Sequence, residues 1–355
     1  MQSKISKHPL WFSGVLVVLL ISLILTVTLA VMLGPVSIAP TTVWNIAFSH
    51  LPGMDSGEVT AWSKAEASII WNIRFPRVLM GVIVGAGLST AGVAIQALIR
   101  NSLADPYILG VSSGASVTAS MVILFGSFGF LGAYSLPLAA FLGSLLAMGL
   151  VFSLARVGRT ISTTRLLLAG VAVSMMLSAV TSFIVTLTPQ DKGVRDVMFW
   201  MMGSLSGAKW EYVLYPSLIV LLCSLMLFFQ YRGLNTLLMG EDEAVTLGIN
   251  MRRFRLFLVL ISALVTGTIV AISGTIGFVG LMVPHIVRLL VGSDHRRVLP
   301  VSLLLGAIFV VWADVFARLV LAPQEVPIGI VTALCGGPFF IGLLRRSSYN
   351  FGGGQ

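Results

Sequence analysis

A chain of 355 residues with a mean hydropathy of +1.00, 57% hydrophobic and only 10% charged, is a polytopic membrane protein; a soluble domain carries about 25% charged residues. The net charge of +9 does not point to nucleic acid, because the basic residues fall between apolar runs and form no soluble patch. Cys223 and Cys335 stand alone within apolar segments, which implies neither a disulfide framework nor a metal site.

Lys4 and Lys7 precede an uncharged run of 24 residues, 10–33. That exceeds the ~7–15 residues of a signal-peptide core and predicts a retained spanning helix. Nine further runs follow, at 78–99, 108–128, 136–154, 166–187, 213–229, 256–272, 276–290, 301–321 and 328–344. The expected fold is an all-α membrane protein of ten transmembrane helices, one transmembrane domain over 1–355. The run at 276–290 is short and close to its predecessor, so a count of nine or a re-entrant piece is the alternative. Ten spans divide as five plus five, which would suit an inverted structural repeat. With the N-terminus inside, 14 basic residues fall on the inner side and 7 on the outer, so both termini are expected in the cytoplasm.

The connection at 34–73 is the longest and carries Trp44, Trp62 and Trp71, expected as interface anchors. Arg74 and Arg77 flank Pro76 at the outer start of the second span; they read either as headgroup anchors or as a bidentate receptor for carboxylates on an external protein. Gly81 and Gly85, and again Gly110 and Gly114, are spaced for close helix packing. On the inner side Asp105 and Pro106 form a helix start, and the ILGVSSGAS that follows gives either close packing or a small, hydroxyl-bearing pore wall. The outer segment 188–210 reads as a short surface helix over the pathway or as a plain connector.

The least apolar stretch is 237–255, LLMGEDEAVTLGINMRRFR. Glu241, Asp242 and Glu243 suit a helix N-terminus and Gly248 a left-handed helix end. About two turns of helix are too short to persist in water unless packed, so this is read as a cytoplasmic helix offered to a partner. His285 is expected as hydrogen-bonded structure rather than as a ligand, and Arg318, four residues after Asp314, as an intrahelical pair. The chain shows no Gly-x-x-x-x-Gly-Lys-Ser/Thr loop, no zinc helix and no Ser/His/Asp grouping, so it is expected to be no enzyme and not to hydrolyse ATP itself. Acids deep in the spans are almost lacking, which disfavours an ion-coupled secondary transporter, the alternative of a different class.

The stretches RFPRVLMGVIVGAGLSTAGVAIQALIRNSLADPYILGVSSGAS, RLLLAGVAVS, MGEDEAVTLGI, SGTIGFVGLMVPHIVRLLVGSDHR and VPIGIVTALCGGPFFI resemble the FecCD family, permeases of ABC importers for ferric siderophores, haem and cobalamin. The resemblance covers 74–346 and implies a type II ABC importer permease fold in a bacterial inner membrane. It implies as partners a second permease subunit, identical or a paralogue, two ATPase subunits, and a periplasmic or lipid-anchored substrate-binding protein. ATP and Mg would be bound by the ATPase, with no cofactor on this chain and an iron chelate as the leading cargo. Arg74, Arg77 and Arg318 match binding-protein docking residues. Gly240, Glu241, Asp242, Glu243, Ala244, Leu247 and Gly248, within 238–250, match the coupling helices. Asn101, Leu103, Thr163 and Thr164 match a cytoplasmic gate, with Ser102 where the family commonly shows proline.

Overall fold

The computed structural model describes residues 9–34, 38–50, 62–157, 160, 161, 163–188 and 191–346. The two chain ends, expected in the cytoplasm, lie outside the described residues, as do the side chains of Thr163 and Glu241.

Helix α1 (Pro9–Met32) takes up the first apolar run, and α2 (Pro40–Ser49) begins at a proline whose fixed φ suits a first turn. A capping box opens α3 (Lys64–Ser68): Glu66 N donates to Ser63 Oγ at 3.1 Å and Ser63 N to Glu66 Oε2 at 2.7 Å. The chain continues as π-helix over Ile69–Arg74 and passes unbroken into α4 (Phe75–Ile99). Asp105 then caps a 3-10 turn, Pro106–Leu109, accepting from Tyr107 N at 2.8 Å. Gly110, at φ 75°, ends that turn, and α5 (Val111–Phe125) starts only after it. The run expected as one helix from 108 is therefore a turn and a 15-residue helix, and Gly110 serves as a cap rather than as a packing partner of Gly114.

Next come α6 (Ser135–Ala155), the strands β1 (Arg156–Val157) and β2 (Thr160–Ile161), paired antiparallel, and α7 (Thr163–Thr186). The outer connection holds α8 (Asp191–Met201), so the surface-helix alternative is the one observed. The second half comprises α9 (Leu214–Phe229), α10 (Tyr231–Met239), α11 (Glu241–Thr246), α12 (Met251–Ser273), α13 (Val279–Val291), α14 (His295–Leu319) and α15 (Ile328–Arg346). Among the described residues seven helices are long and apolar enough to cross a membrane, and the shorter apolar α5, α13 and α15 complete a set of ten. The end bearing Arg100 and α11 is the one assigned to the cytoplasm by charge, and is the inner end below.

Helix α4 is the axis of the bundle: its apolar window is 89% buried, against 17% for α1. It packs on α14, α12, α13 and α9. Close approach needs glycine at the crossing with α14, where a Cβ on Gly85 would lie 2.1 Å from Gly306 O. Dispersion between backbones, not water release, stabilises such contacts in lipid. Gly85→Ala is expected to destabilise the fold by about 1–3 kcal/mol. Gly81→Ala, which would meet only a Val311 methyl at 3.2 Å, should be milder. Thermal unfolding in detergent compares the two, and equal midpoints would refute the packing argument.

The backbone leaves helical form between α12 and α13, where Gly274 and Phe278 have φ of 65° and 67°. Non-helical backbone inside a membrane protein must find partners within the protein. Here Ser204 N donates to Ser273 O at 2.8 Å, Ile276 N to the Tyr107 hydroxyl at 3.2 Å, and Gln96 Nε2 to the carbonyls of Gly280 and Leu281, each at 3.2 Å. This break makes the short eighth run a helix of its own.

Candidate functional site

At the outer end α4 and α14 bring Arg77, Asp314 and Arg318 together. Arg77 Nε donates to Asp314 Oδ1 at 3.0 Å, while its NH1 and NH2 donate to Glu325 Oε1 and Oε2 at 2.7 and 3.0 Å. Arg318 Nε lies 3.0 Å from Asp314 Oδ2, the intrahelical pair that the spacing predicts. Its NH2 donates to Ala30 O at 3.2 Å, and Arg74 NH1 donates to Val31 O and Met32 O, both at 2.8 Å. The guanidiniums thus satisfy the last carbonyls of α1, which have no partner within their own helix. Arg74, Arg77 and Arg318 are only 4%, 7% and 6% exposed. Arg74 and Arg77, read from the sequence either as headgroup anchors or as a receptor for external carboxylates, are buried and bonded within the chain, with Asp314 and Glu325 on the bidentate face of Arg77. Glu325, on the link between α14 and α15, was not foreseen. A half-buried acid beside two arginines across 248 residues leaves no local pattern.

At the inner end α4 stops with Arg100 in the left-handed region at φ 56°. Asn101 N donates back to Gln96 O at 3.1 Å, and Asn101 Oδ1 accepts from Leu103 N at 2.9 Å. This Asx turn holds the chain at Ser102. Asn101 is exposed, Leu103 half-buried and Thr164 exposed on the first turn of α7. Helix α7 meets the Pro106–Leu109 turn at Gly170, where a Cβ would lie 2.0 Å from Ile108 O.

Burial pushes the Asp105 carboxyl up from 3.8 to about 6, against the Tyr107 N–H that lowers it. A folded-state value above the unfolded one means stability that is full below about pH 4 and lost as the pH rises through 6. Asp105→Asn keeps a capping oxygen and is expected to flatten the fall in unfolding temperature between about pH 4 and 6. An unchanged slope in that variant would show that another group titrates.

The acidic stretch forms α11, entered at Gly240 and closed at Gly248, φ 84°. Gly248 N donates to Val245 O at 2.9 Å and Ile249 N to Ala244 O at 3.0 Å, the paired bonds of a Schellman end. As the sequence implies, the acids stand at the start of a helix of about two turns that ends before Gly248, six residues long, while α10 ends at Met239 just ahead of Gly240. Ala244 is fully buried, Asp242 and Glu243 are exposed, and Leu238, Met239, Val245 and Leu247 are 48%, 69%, 58% and 65% exposed. A second feature was missed in the sequence: Asn235 on α10 clasps the start of α14. Asn235 Nδ2 donates to Asp294 Oδ1 at 2.7 Å, and Asn235 Oδ1 accepts from His295 N at 2.8 Å and bonds His295 Nδ1 at 2.9 Å. Asp294 also caps α14, so α10 and α14 are joined at one carboxylate.

A cavity of about 640 Å³ opens between α5, α7 and the end of α8. The serines of α5 on its wall, Ser112, Ser113 and Ser116, belong to the expected hydroxyl face. Those of α7 were missed, although Ser178, Ser182 and Thr186 recur every four residues and so share one face. Away from the cavity, His285 rests edge-on against Phe339 at 6.0 Å with Nδ1 unpartnered among the described residues, rather than hydrogen-bonded as expected. Trp71 stacks on His50 at 4.0 Å and accepts from Trp210 Nε1 through its carbonyl at 2.7 Å.

Comparison with known proteins bears on this arrangement. The sequence profile of a family described as the FecCD transport family matches residues 20–346. The chain is 39% identical over 341 residues to the hemin transport system permease protein HmuU of Yersinia pestis, covering 96% of each chain. It is 43% identical to the vitamin B12 import system permease protein BtuC of Vibrio cholerae, over 81% of this chain and 86% of that one. It is also 43% identical to the Fe(3+)-citrate import system permease protein YfmD of Bacillus subtilis, over 79% and 82%. A solved structure described as an inward-facing conformation of a candidate metal-chelate type ABC transporter superposes with a TM-score of 0.81 at 32% identity, covering 94% of this chain and 100% of that one.

Proposed function

We propose that this chain, an ABC importer permease that belongs to the FecCD transport family, moves an iron chelate inward across the membrane by ATP-driven alternating access. It is a multi-pass inner-membrane protein with the type II importer permease fold. In this reading both termini are cytoplasmic, and hydrolysis belongs to a pair of separate ATPase subunits. A second permease subunit, the same chain or a paralogue, completes the pathway, and a periplasmic or lipid-anchored binding protein delivers the chelate. Relatives named for hemin, vitamin B12 and Fe(3+)-citrate all suit a common path for bulky chelates.

The observation that carries the reading is the surface of α10 and α11. Leu238, Met239, Val245 and Leu247 present apolar area outside the spans, beside exposed Asp242 and Glu243. Apolar side chains on a water-facing segment mark a protein-binding site. An ATPase seated there would push on Glu241–Thr246, with Gly240, Leu247 and Gly248 setting its ends. The clasp at Asn235 joins this segment to α14, which runs the length of the bundle to Asp314 and Arg318. Asn101, Leu103, Thr163 and Thr164 form the inner gate, and Arg74, Arg77 and Arg318 shape the outer rim on which the binding protein settles.

The test is uptake of a ferric siderophore into proteoliposomes holding the permease with its ATPase and binding protein. Uptake is expected only with ATP and all three components. Accumulation driven by an ion gradient, with the ATPase left out, would establish a secondary carrier instead.

A further inference from the structure

The wall of the cavity between α5, α7 and α8 indicates which kind of chelate passes. Eight of its lining residues carry hydroxyls, three more are methionines from one stretch at the end of α8, and none of the described lining residues is ionisable. Several hydroxyls are committed inward: Ser116 donates to Ser112 O at 2.9 Å, Thr181 to Leu177 O at 3.1 Å, and Thr186 to Ser182 O at 2.8 Å. The hydroxyls of Ser112, Ser113, Ser178 and Ser182 have no hydrogen-bond partner among the described residues. Ser178 and Ser182 are exposed to the open space. A free hydroxyl offers a donor to a carbonyl, amide or hydroxamate oxygen without the cost of stripping an ion of water. Met198, Met201 and Met202 add soft apolar surface that adapts to irregular shapes. The charged residues of α8, namely Asp191, Lys192, Arg195 and Asp196, do not line this cavity.

A carboxylate brought here would give up hydration with no cation to replace it, and a charge inside a membrane protein ordinarily needs a partner. We propose that the cavity receives metal chelates whose outer surface is uncharged and rich in carbonyl, amide or hydroxamate oxygens, and discriminates against chelates bearing free carboxylates. This rests on the importer reading above and narrows its cargo. It favours a hydroxamate- or amide-rimmed solute over haem, with its propionates, and over ferric citrate, the solutes for which two relatives are named.

The experiment is equilibrium dialysis of coloured chelates against the full-length permease in nanodiscs, with empty nanodiscs subtracted. A neutral ferric trihydroxamate, haem and ferric citrate are the probes. The neutral chelate is expected to be retained at least about tenfold more tightly than either anionic one. Ser178→Arg, at an exposed position, should invert that order by placing a cation on the wall, and Thr186→Lys does the same from about two turns of the stripe further on. Equal or tighter retention of haem or ferric citrate by the unaltered permease would overturn the proposal. So would retention of none of the three, or an order unmoved by either cationic variant. ATP-dependent uptake by the assembled importer is read separately, so a wrong cargo class leaves the importer reading standing, whereas loss of ATP dependence does not.

Discussion

Val245→Asp combined with Leu247→Asp is expected to lower ATP-driven uptake at least about a hundredfold while the permease unfolds at its usual temperature. The two side chains are 58% and 65% exposed, so they contribute little to the fold, and polar replacements at such positions ordinarily shift stability by about half a kcal/mol or less. Their apolar area is instead available to a partner, and central apolar anchors at an interface commonly contribute about 2 kcal/mol or more each. The acids Asp242 and Glu243 beside them would set orientation and association rate more than affinity. Two measurements separate the possibilities. Co-purification of the ATPase should fail for the double aspartate variant, while binding-protein docking at the other end of the bundle stays intact. Normal uptake in that variant would remove α11 from the coupling machinery. A companion change deeper in the chain tests how the push travels. Asn235→Leu should keep the ATPase bound, because the exposed face is untouched, yet move less solute per ATP, because α10 is no longer tied to α14 through Asp294 and His295.

Much of this architecture is legible in the amino-acid order because the bilayer imposes a length on each apolar run. Every expected run falls on a helix, and even the short eighth appears as α13. Local chemistry is legible for the same kind of reason. Asp105 before Pro106 and Gly248 after an acidic turn each act within a few residues and behave as their types require. Pairings across the chain are where sequence reasoning runs out. Glu325 sits 248 positions from Arg77, and Asn235 about 60 from His295, and neither spacing has a period. The outer arginines show the cost of that limit. Residue type and end of helix leave headgroup anchor and external receptor equally open, and the carboxylates that bind Arg77 come from elements distant in sequence. Gly110 was misread for a different reason, since one glycine spacing serves equally for packing and for a left-handed cap.

The ion cluster at the outer end carries the other large effect. Asp314→Ala is expected to destabilise the isolated permease by about 3–5 kcal/mol. Asp314 is 2% exposed and is shared by Arg77 and Arg318, themselves 7% and 6% exposed, so its loss leaves Arg318 without a carboxylate, away from water and beside a second cation held only by Glu325. Arg77→Met should cost less, because Asp314 keeps Arg318 at 3.0 Å and the half-exposed Glu325 can turn to solvent. Glu325→Gln should cost least, about 1 kcal/mol or below, since its side chain is 34% exposed and Arg77 keeps Asp314. Thermal unfolding in detergent, with no binding protein present, therefore has a required order of damage: Asp314, then Arg77, then Glu325. The order separates two roles for the arginines. If the arginines depended chiefly on carboxylates of an external protein, Asp314 would matter little to the isolated permease, and the first variant would unfold no earlier than the last. Loss in the stated order assigns the cluster first to holding the outer ends of α1, α4 and α14 together. Any docking protein would then meet the rim these arginines stiffen, with Glu325 as the outermost carboxylate it encounters.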